Sequence, residues 1–212
     1  MAEKQFKHNV DESPKMFENP ILDYFSRVHV AVVPVIFIPF IGYFIYKALF
    51  MLNVSALNFA GFFFIGIIIW TFFEYWFHRL VFHYKPTSDA GKRFIFMAHG
   101  IHHDYPNDSM RLVMPPTVSL GLALIVYWVL FAIIRDIPIT TSVYAGFVFG
   151  YFVYDLTHYA THYSNYKGKW FQKIKKSHML HHYQNGDKGY GLSNVFWDYV
   201  FGTQFPKKSE SK

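Results

Sequence analysis

The chain has 212 residues, 52% of them apolar and 22% aromatic but only 16% charged, where an ordinary soluble domain carries roughly 25% charged residues. That length allows one domain or one small membrane bundle, and 25 Phe with 16 Tyr exclude a disordered tail or a solvated binding module. Cysteine is absent, which excludes disulfide scaffolds, thiolate zinc sites and cysteine nucleophiles. The net charge of +6 matters less than its placement. Residues 1–27 are polar and read as a cytosolic N-terminal segment without a secretory signal. Four charge-free runs follow: Val28 to Tyr46, Ala48 to Phe73, Leu112 to Ile134 and Ile137 to Tyr154, of 19, 26, 23 and 18 residues. About 20 apolar residues span the hydrocarbon of a bilayer as a helix, so four transmembrane helices are predicted. The turns between them are short, with Lys47, Asn53, Ser55 and Asn58 in one and Arg135, Asp136 and Pro138 in the other, so the helices pair into two hairpins. Residues 28–204 then form one membrane and cap domain, and 205–212 a polar tail.

Lys and Arg report the topology. Eighteen of the 20 fall in 1–27, 74–111 and 155–212, with Lys47 and Arg135 on the opposite side. The rich side is expected to be cytoplasmic, and its basicity to meet anionic headgroups. No compact basic reading motif is present, so nucleic acid is not an expected partner.

Ten of the 12 histidines fall in four clusters: His78/His83, His99/His102/His103, His158/His162 and His178/His181/His182. The 16-residue step from His83 to His99 recurs from His162 to His178, and each second cluster reads H-x-x-H-H. Each half of the chain is thus a membrane hairpin, a histidine pair and a histidine triplet, and two such halves suit one shared centre. Residues at i, i+3 and i+4 share a helix face. His78 and His83 are five apart, about 140° around an ideal helix, so a bulge, kink or helix end must lie between them; a π-bulge would serve. Imidazole ligates zinc, copper and iron. Ten ligands exceed the capacity of one ion and suit two ions with four or five each. His8 and His29 stand alone and read as satisfied core or interfacial side chains.

The expected fold class is therefore an all-α integral membrane protein, with four transmembrane helices in two hairpins and a cytosolic helical cap carrying a histidine-rich di-metal site. All four clusters sit at or beyond helix ends, whereas a metal transporter would place ionisable residues near the bilayer midplane. A metal pair above hydrocarbon suits oxidation of an unactivated C–H bond in a lipid chain, which requires a redox metal and dioxygen. Zinc has no accessible redox state and would only occupy the sites in a preparation. Glu74, Asp104, Asp155 and Asp198 are candidates to accept the outward N–H of ligating histidines. Because ligands must be unprotonated, metal binding should weaken as pH falls through roughly 6.5.

The stretches FEYWFHRLVFH (73–83), HGIHHDYPNDSMRLVMPP (99–116), GYFVYDLTHYATHY (150–163) and SHMLHHYQNGDKGYGLSNVFWDYVFGT (177–203) resemble the fatty acid hydroxylase superfamily, specifically its fatty acid 2-hydroxylase branch. The H-x-x-H-H boxes are shared with desaturases and with sterol and carotenoid oxidases; RLVMPP and GYGLS…WDYVFGT are more specific. The resemblance implies a di-iron monooxygenase that hydroxylates the 2-position of a long acyl chain, free, as a thioester or in a ceramide. It also implies that all ten clustered histidines are metal ligands. Many relatives carry a fused cytochrome b-type domain, for which residues 1–27 are too short. Two electrons are then expected from a separate reductase, cytochrome or ferredoxin, and the membrane is expected to be a bacterial inner membrane, or the endoplasmic reticulum membrane in a eukaryote. A desaturase or sterol or carotenoid oxidase, and a metal-transport or storage protein, are the competing functions.

Other residues carry a functional and a bland reading. Asp104, Tyr105, Pro106, Asn107 and Asp108 either orient the first triplet or end its helix with turn chemistry. Arg111 is read as a snorkelling interfacial cation rather than a holder of the acyl head group. Tyr151, Tyr154, Trp197 and Tyr199 are read as an aromatic belt rather than walls of a substrate slot. Gly186, Gly189 and Gly191 mark tight turns. The run Lys167 to Lys176 is read as solvated or headgroup-facing, with a dock for an acidic electron donor as the alternative.

Overall fold

A computed structural model describes residues 10–206; His8 and most of the expected polar tail lie outside the described residues. Among these the chain is all helical. In order the helices are α1 (Pro20–Phe25), α2 (Val32–Tyr46), α3 (Ala56–Phe77), α4 (Asp89–Ile95), α5 (Ile101–Asp104), α6 (Pro116–Ile134), α7 (Ile137–Tyr163), α8 (Lys169–Tyr183) and α9 (Phe196–Val200). Short π-helical segments, Lys47–Met51, His78–Phe82 and Phe96–Gly100, extend α2, α3 and α4. Four helical stretches are long and apolar enough to cross a membrane: Val32–Met51, Ala56–Phe82, Pro116–Ile134 and Ile137–Tyr163. They match the four charge-free runs, but the second and fourth continue past the first charged residue into the histidine pairs.

The protein is an integral membrane protein by these helices. A bilayer solvates apolar side chains, so α2, α3 and α6 leave large ones facing outward, among them Val35, Leu57, Phe64, Trp128 and Ile133. α7 is the interior helix, packing most heavily on α3 and then on α2 and α6. Its face from Thr140 to Val148 is buried throughout. Asp136 starts α7 by accepting from the Ile139 amide at 2.8 Å, and Pro138 suits its first turn. Lipid tails give packed helices no hydrophobic reward for pairing, so close backbone approach decides where they meet. α3 and α7 cross where Gly66 faces Gly146: a Cβ on Gly146 would lie 2.7 Å from the Phe63 carbonyl carbon, and one on Gly66 would lie 2.7 Å from the Phe147 amide nitrogen.

The N-terminal segment is strapped to the loop between α5 and α6. Asp11 accepts from the Ser109 amide, Ser13 bonds Asp108, and the Val28 amide donates to the Met110 carbonyl at 2.7 Å. Arg111 is the buckle. It donates to the Pro14 carbonyl and lies 3.3 Å from Asp108 and 3.4 Å from Asp23. Its side chain is only 3% exposed, so the snorkelling reading is wrong: a ready pair of carboxylates keeps the guanidinium inside. His29 is exposed, its ring nitrogen accepting from the Ala31 amide.

Gly146→Ala should destabilise the protein by about 1–3 kcal/mol, because the obstruction is backbone and cannot swing aside. Gly61→Ala, on α3 with nothing within 4 Å, should cost nothing. Thermal melts in detergent compare them; equal melting temperatures would contradict a crossing set by glycine contact.

Candidate metal centre

Ten histidines converge at one end of the bundle. His78 ends α3 and His83 follows its π-helical turn, where the His83 amide reaches back five residues to the His78 carbonyl at 3.1 Å. That wider turn swings two rings five residues apart onto one side, as the sequence required. His99 sits in the π-helical segment after α4, with His102 and His103 on α5. His158 and His162 lie one turn apart on α7, and the second triplet on α8.

Their ring nitrogens form two sets of five, each with atoms within 4.8 Å of one another. The first cage holds His78, His83, His99, His103 and His181; the second holds His102, His158, His162, His178 and His182. Each triplet gives its i,i+4 pair to one cage and its middle residue to the other. Adjacent helical residues point about 100° apart, so His102 turns away from His103 and His181 from His182. Spacing alone suggested one shared face for each triplet; the crossing of the middle histidines links the two halves instead. The cages abut, with the rings of His103 and His182 centred 4.3 Å apart.

Inside the cages the imidazoles cannot satisfy one another. His99 Nε2 lies 3.1 Å from His78 Nε2 and 3.0 Å from His103 Nε2. His178 Nε2 lies 2.9 Å from His162 Nε2 and 3.1 Å from His182 Nε2. A neutral ring has one N–H and one lone pair, so three facing nitrogens leave lone pairs opposed. His78 Nδ1 donates to the Tyr190 carbonyl and His181 Nδ1 to the Lys188 carbonyl, each at 2.7 Å. A carbonyl only accepts, so both protons sit on Nδ1 and both Nε2 atoms are unprotonated, with only a lone pair to offer. His181 Nε2 and His83 Nε2 are buried without a partner. Clustered bare nitrogens fit a divalent cation, and the all-nitrogen set suits a first-row metal.

Burial and neighbouring imidazoles hold His99, His102, His103, His178 and His182 well below the ordinary histidine range. Burial, with the His83 ring beside it, pushes His181 down to about 3. The rings therefore stay neutral, as ligation requires.

Of the expected acidic supports, Glu74, Asp155 and Asp198 are all buried, but they bond backbone amides and hydroxyls rather than imidazoles. Asp155 accepts from the Tyr151 hydroxyl at 3.1 Å and the Met114 amide at 3.4 Å. Glu74 and Asp198 hold the 190–193 loop. The orienting carbonyls of Lys188 and Tyr190 were missed, since a main-chain acceptor leaves no side-chain signature; the glycines around them were the available signal. Gly189 indeed needs its freedom, with φ at +72°.

A cavity of about 410 Å³ runs between α3, α6 and α7. Its walls pass from Ile133 and Leu130 at the far end of α6, along Trp70 and Phe147, to Phe82 and His78 of the first cage. Tyr151 and Tyr154 line it too, which corrects their reading as belt residues. Trp197 instead packs outside α3, donating to Thr71, and Tyr199 is exposed.

A membrane bundle with paired polyhistidine cages over an apolar slot defines a class of lipid-oxidising proteins. Residues 63–203 match the fatty acid hydroxylase family, and the chain belongs to it. It is 34% identical to the dihydroceramide fatty acyl 2-hydroxylase FAH2 of Arabidopsis thaliana, over 91% of this chain and 80% of that protein. It is 32% identical to the fatty acid 2-hydroxylase of Mus musculus (93% and 58%), and 38% identical to the ceramide very long chain fatty acid hydroxylase SCS7 of Saccharomyces cerevisiae (93% and 51%). The chain thus spans little more than half of these last two. The fold is shared with a solved structure of full-length Scs7p in which only the hydroxylase domain is visible, at TM-score 0.83 and 36% identity over 91% of this chain and 72% of that one.

Unfolding exposes the caged rings, which then take up protons below about pH 6.5, while the folded rings do not. The unfolded state binds more protons, so stability is greatest at neutral pH and is lost as pH falls. The metal-free protein should melt at steadily lower temperature from about pH 7 to about pH 5. A flat profile over that window would contradict the burial of neutral rings.

Proposed function

We propose that this protein hydroxylates the 2-position of a long-chain fatty acyl group, free, as a thioester or within a ceramide, using a pair of ferrous ions held by the ten histidines. The observation that carries this reading is the slot that ends on His78: an acyl chain lying in it has its tail among membrane helices and its carbonyl end beside the cages. Iron is the metal assigned, because the reaction needs a redox change that zinc lacks. Bound iron would supply, with dioxygen, the oxidising power that side chains do not have. In the overall balance one oxygen atom enters the C–H bond and the other leaves as water, consuming two protons and two electrons from a separate reductase, cytochrome or ferredoxin.

The chain's own residues bind, orient and exclude water. Five neutral imidazoles in each set hold an ion. Trp70, Phe73, Phe147 and Leu130 line an apolar slot, which water leaves readily and an acyl chain fills. Tyr151 and Tyr154 stand near its cage end, with the Tyr151 hydroxyl held by Asp155. The distribution of Lys and Arg supports a cytoplasmic position for the cages, within reach of a soluble or peripheral electron donor. Residues 28–204 are the working unit, with 1–27 a cytosolic segment and 205–212 a tail. Placement of the cages at one end of the bundle favours an enzyme over a transport path.

Membranes containing the protein, iron and an electron donor should accumulate acyl chains one oxygen heavier, with the hydroxyl beside the carbonyl by mass spectrometry. His102→Ala should lower the bound metal and abolish that product together. A new double bond instead of a hydroxyl, or normal product from His102→Ala, would overturn the assignment.

A further inference from the structure

The two cages are built alike but supported differently. The loop from Gly189 to Ser193 presses on the first cage, and each of its five consecutive amides has an acceptor. Gly189 donates to the Thr203 carbonyl at 2.9 Å. Tyr190 and Gly191 donate to the two oxygens of Asp198, each at 2.8 Å. Leu192 and Ser193 donate to Glu74 Oε1 at 2.6 and 2.7 Å, and the Ser193 hydroxyl bonds the other Glu74 oxygen. Thr203 donates its hydroxyl to Asp198 at 2.7 Å and meets the Tyr75 hydroxyl at 3.0 Å, which ties the clamp to α3. A loop fixed at every amide presents its carbonyls in one geometry. Those of Lys188 and Tyr190 take the Nδ1 protons of His181 and His78, one ring from each half of the chain.

The second cage lacks this backing. Its rings face inward through Nε2, and the outward Nδ1 atoms of His102, His162, His178 and His182 are buried without a partner. His158 leans on the Leu112 carbonyl. Outer hydrogen bonds that fix the tautomer and direction of a ligating ring typically change metal affinity by about 10–100-fold.

We propose that Glu74 and Asp198 are positioning residues for the first cage alone, and that the loop they clamp makes the two metal sites unequal, the first retaining its ion after the second has released it. This rests on reading the cages as metal sites.

The test is release of zinc, used as a redox-silent probe, from the full-length protein in detergent. Protein loaded with zinc is mixed with excess chelator, and the metal per chain is followed in time. Two ions should leave in two phases separated by about 10–100-fold in rate, with a plateau near one ion per chain. His182→Ala should lose the fast phase and keep the slow one. Asp198→Asn should speed the slow phase by about 10-fold or more and leave the fast phase as it was. Glu74→Gln should act in the same direction, so the test survives if either variant misfolds. Equal acceleration of both phases in both variants would overturn the proposal, as would a single phase for both ions in the unmodified protein. Failure to bind zinc at all would sink the metal-site reading itself, a result distinct from equal release of two bound ions.

Discussion

The site answers to one electrostatic constraint: ten imidazoles are packed in two adjoining groups where they cannot satisfy each other's lone pairs. An imidazole pair can share one proton, but His99 and His178 each face two other nitrogens at bonding distance. Leaving a buried polar group unpaired costs about 1–3 kcal/mol, and here several are unpaired at once. Such an arrangement persists when a cation completes it.

The membrane supplies the second constraint, and the two are coupled through α7. This helix is buried between α2, α3 and α6, then runs beyond the apolar region to deliver His158 and His162. α3 does the same for His78. The helices that carry these histidines are therefore the ones fixed most closely to each other, at the Gly66–Gly146 crossing. α6 packs on α7 and leaves space against α3, and that space is the slot. The first cage and the cavity share a wall at His78, so the positions of both are set by the same packing.

Much of this was legible in residue order. Charge-free runs locate spans because a charged side chain in hydrocarbon is expensive, and histidine spacing locates the site because helical periodicity is fixed. The requirement for an irregular turn between His78 and His83 followed from five residues not fitting 3.6 per turn. What stayed hidden depended on three-dimensional proximity. The exchange of His102 and His181 between halves needs the relative placement of α5 and α8. Arg111 looked like a surface cation because Asp23, one of its partners, is 88 positions away. Tyr151 and Tyr154 have the composition of an interfacial belt and the position of a slot wall. The carbonyls of Lys188 and Tyr190 carry no side-chain identity, so only the fold reveals that a loop rather than a carboxylate orients two of the rings.

Each five-histidine set is proposed to enclose one metal ion. Anomalous scattering at the iron edge from crystals of the iron-loaded protein addresses it most directly. Two peaks per chain are expected, one surrounded by the inward nitrogens of His78, His83, His99, His103 and His181, the other by those of His102, His158, His162, His178 and His182. A single shared peak, or iron bound outside both sets, would contradict it.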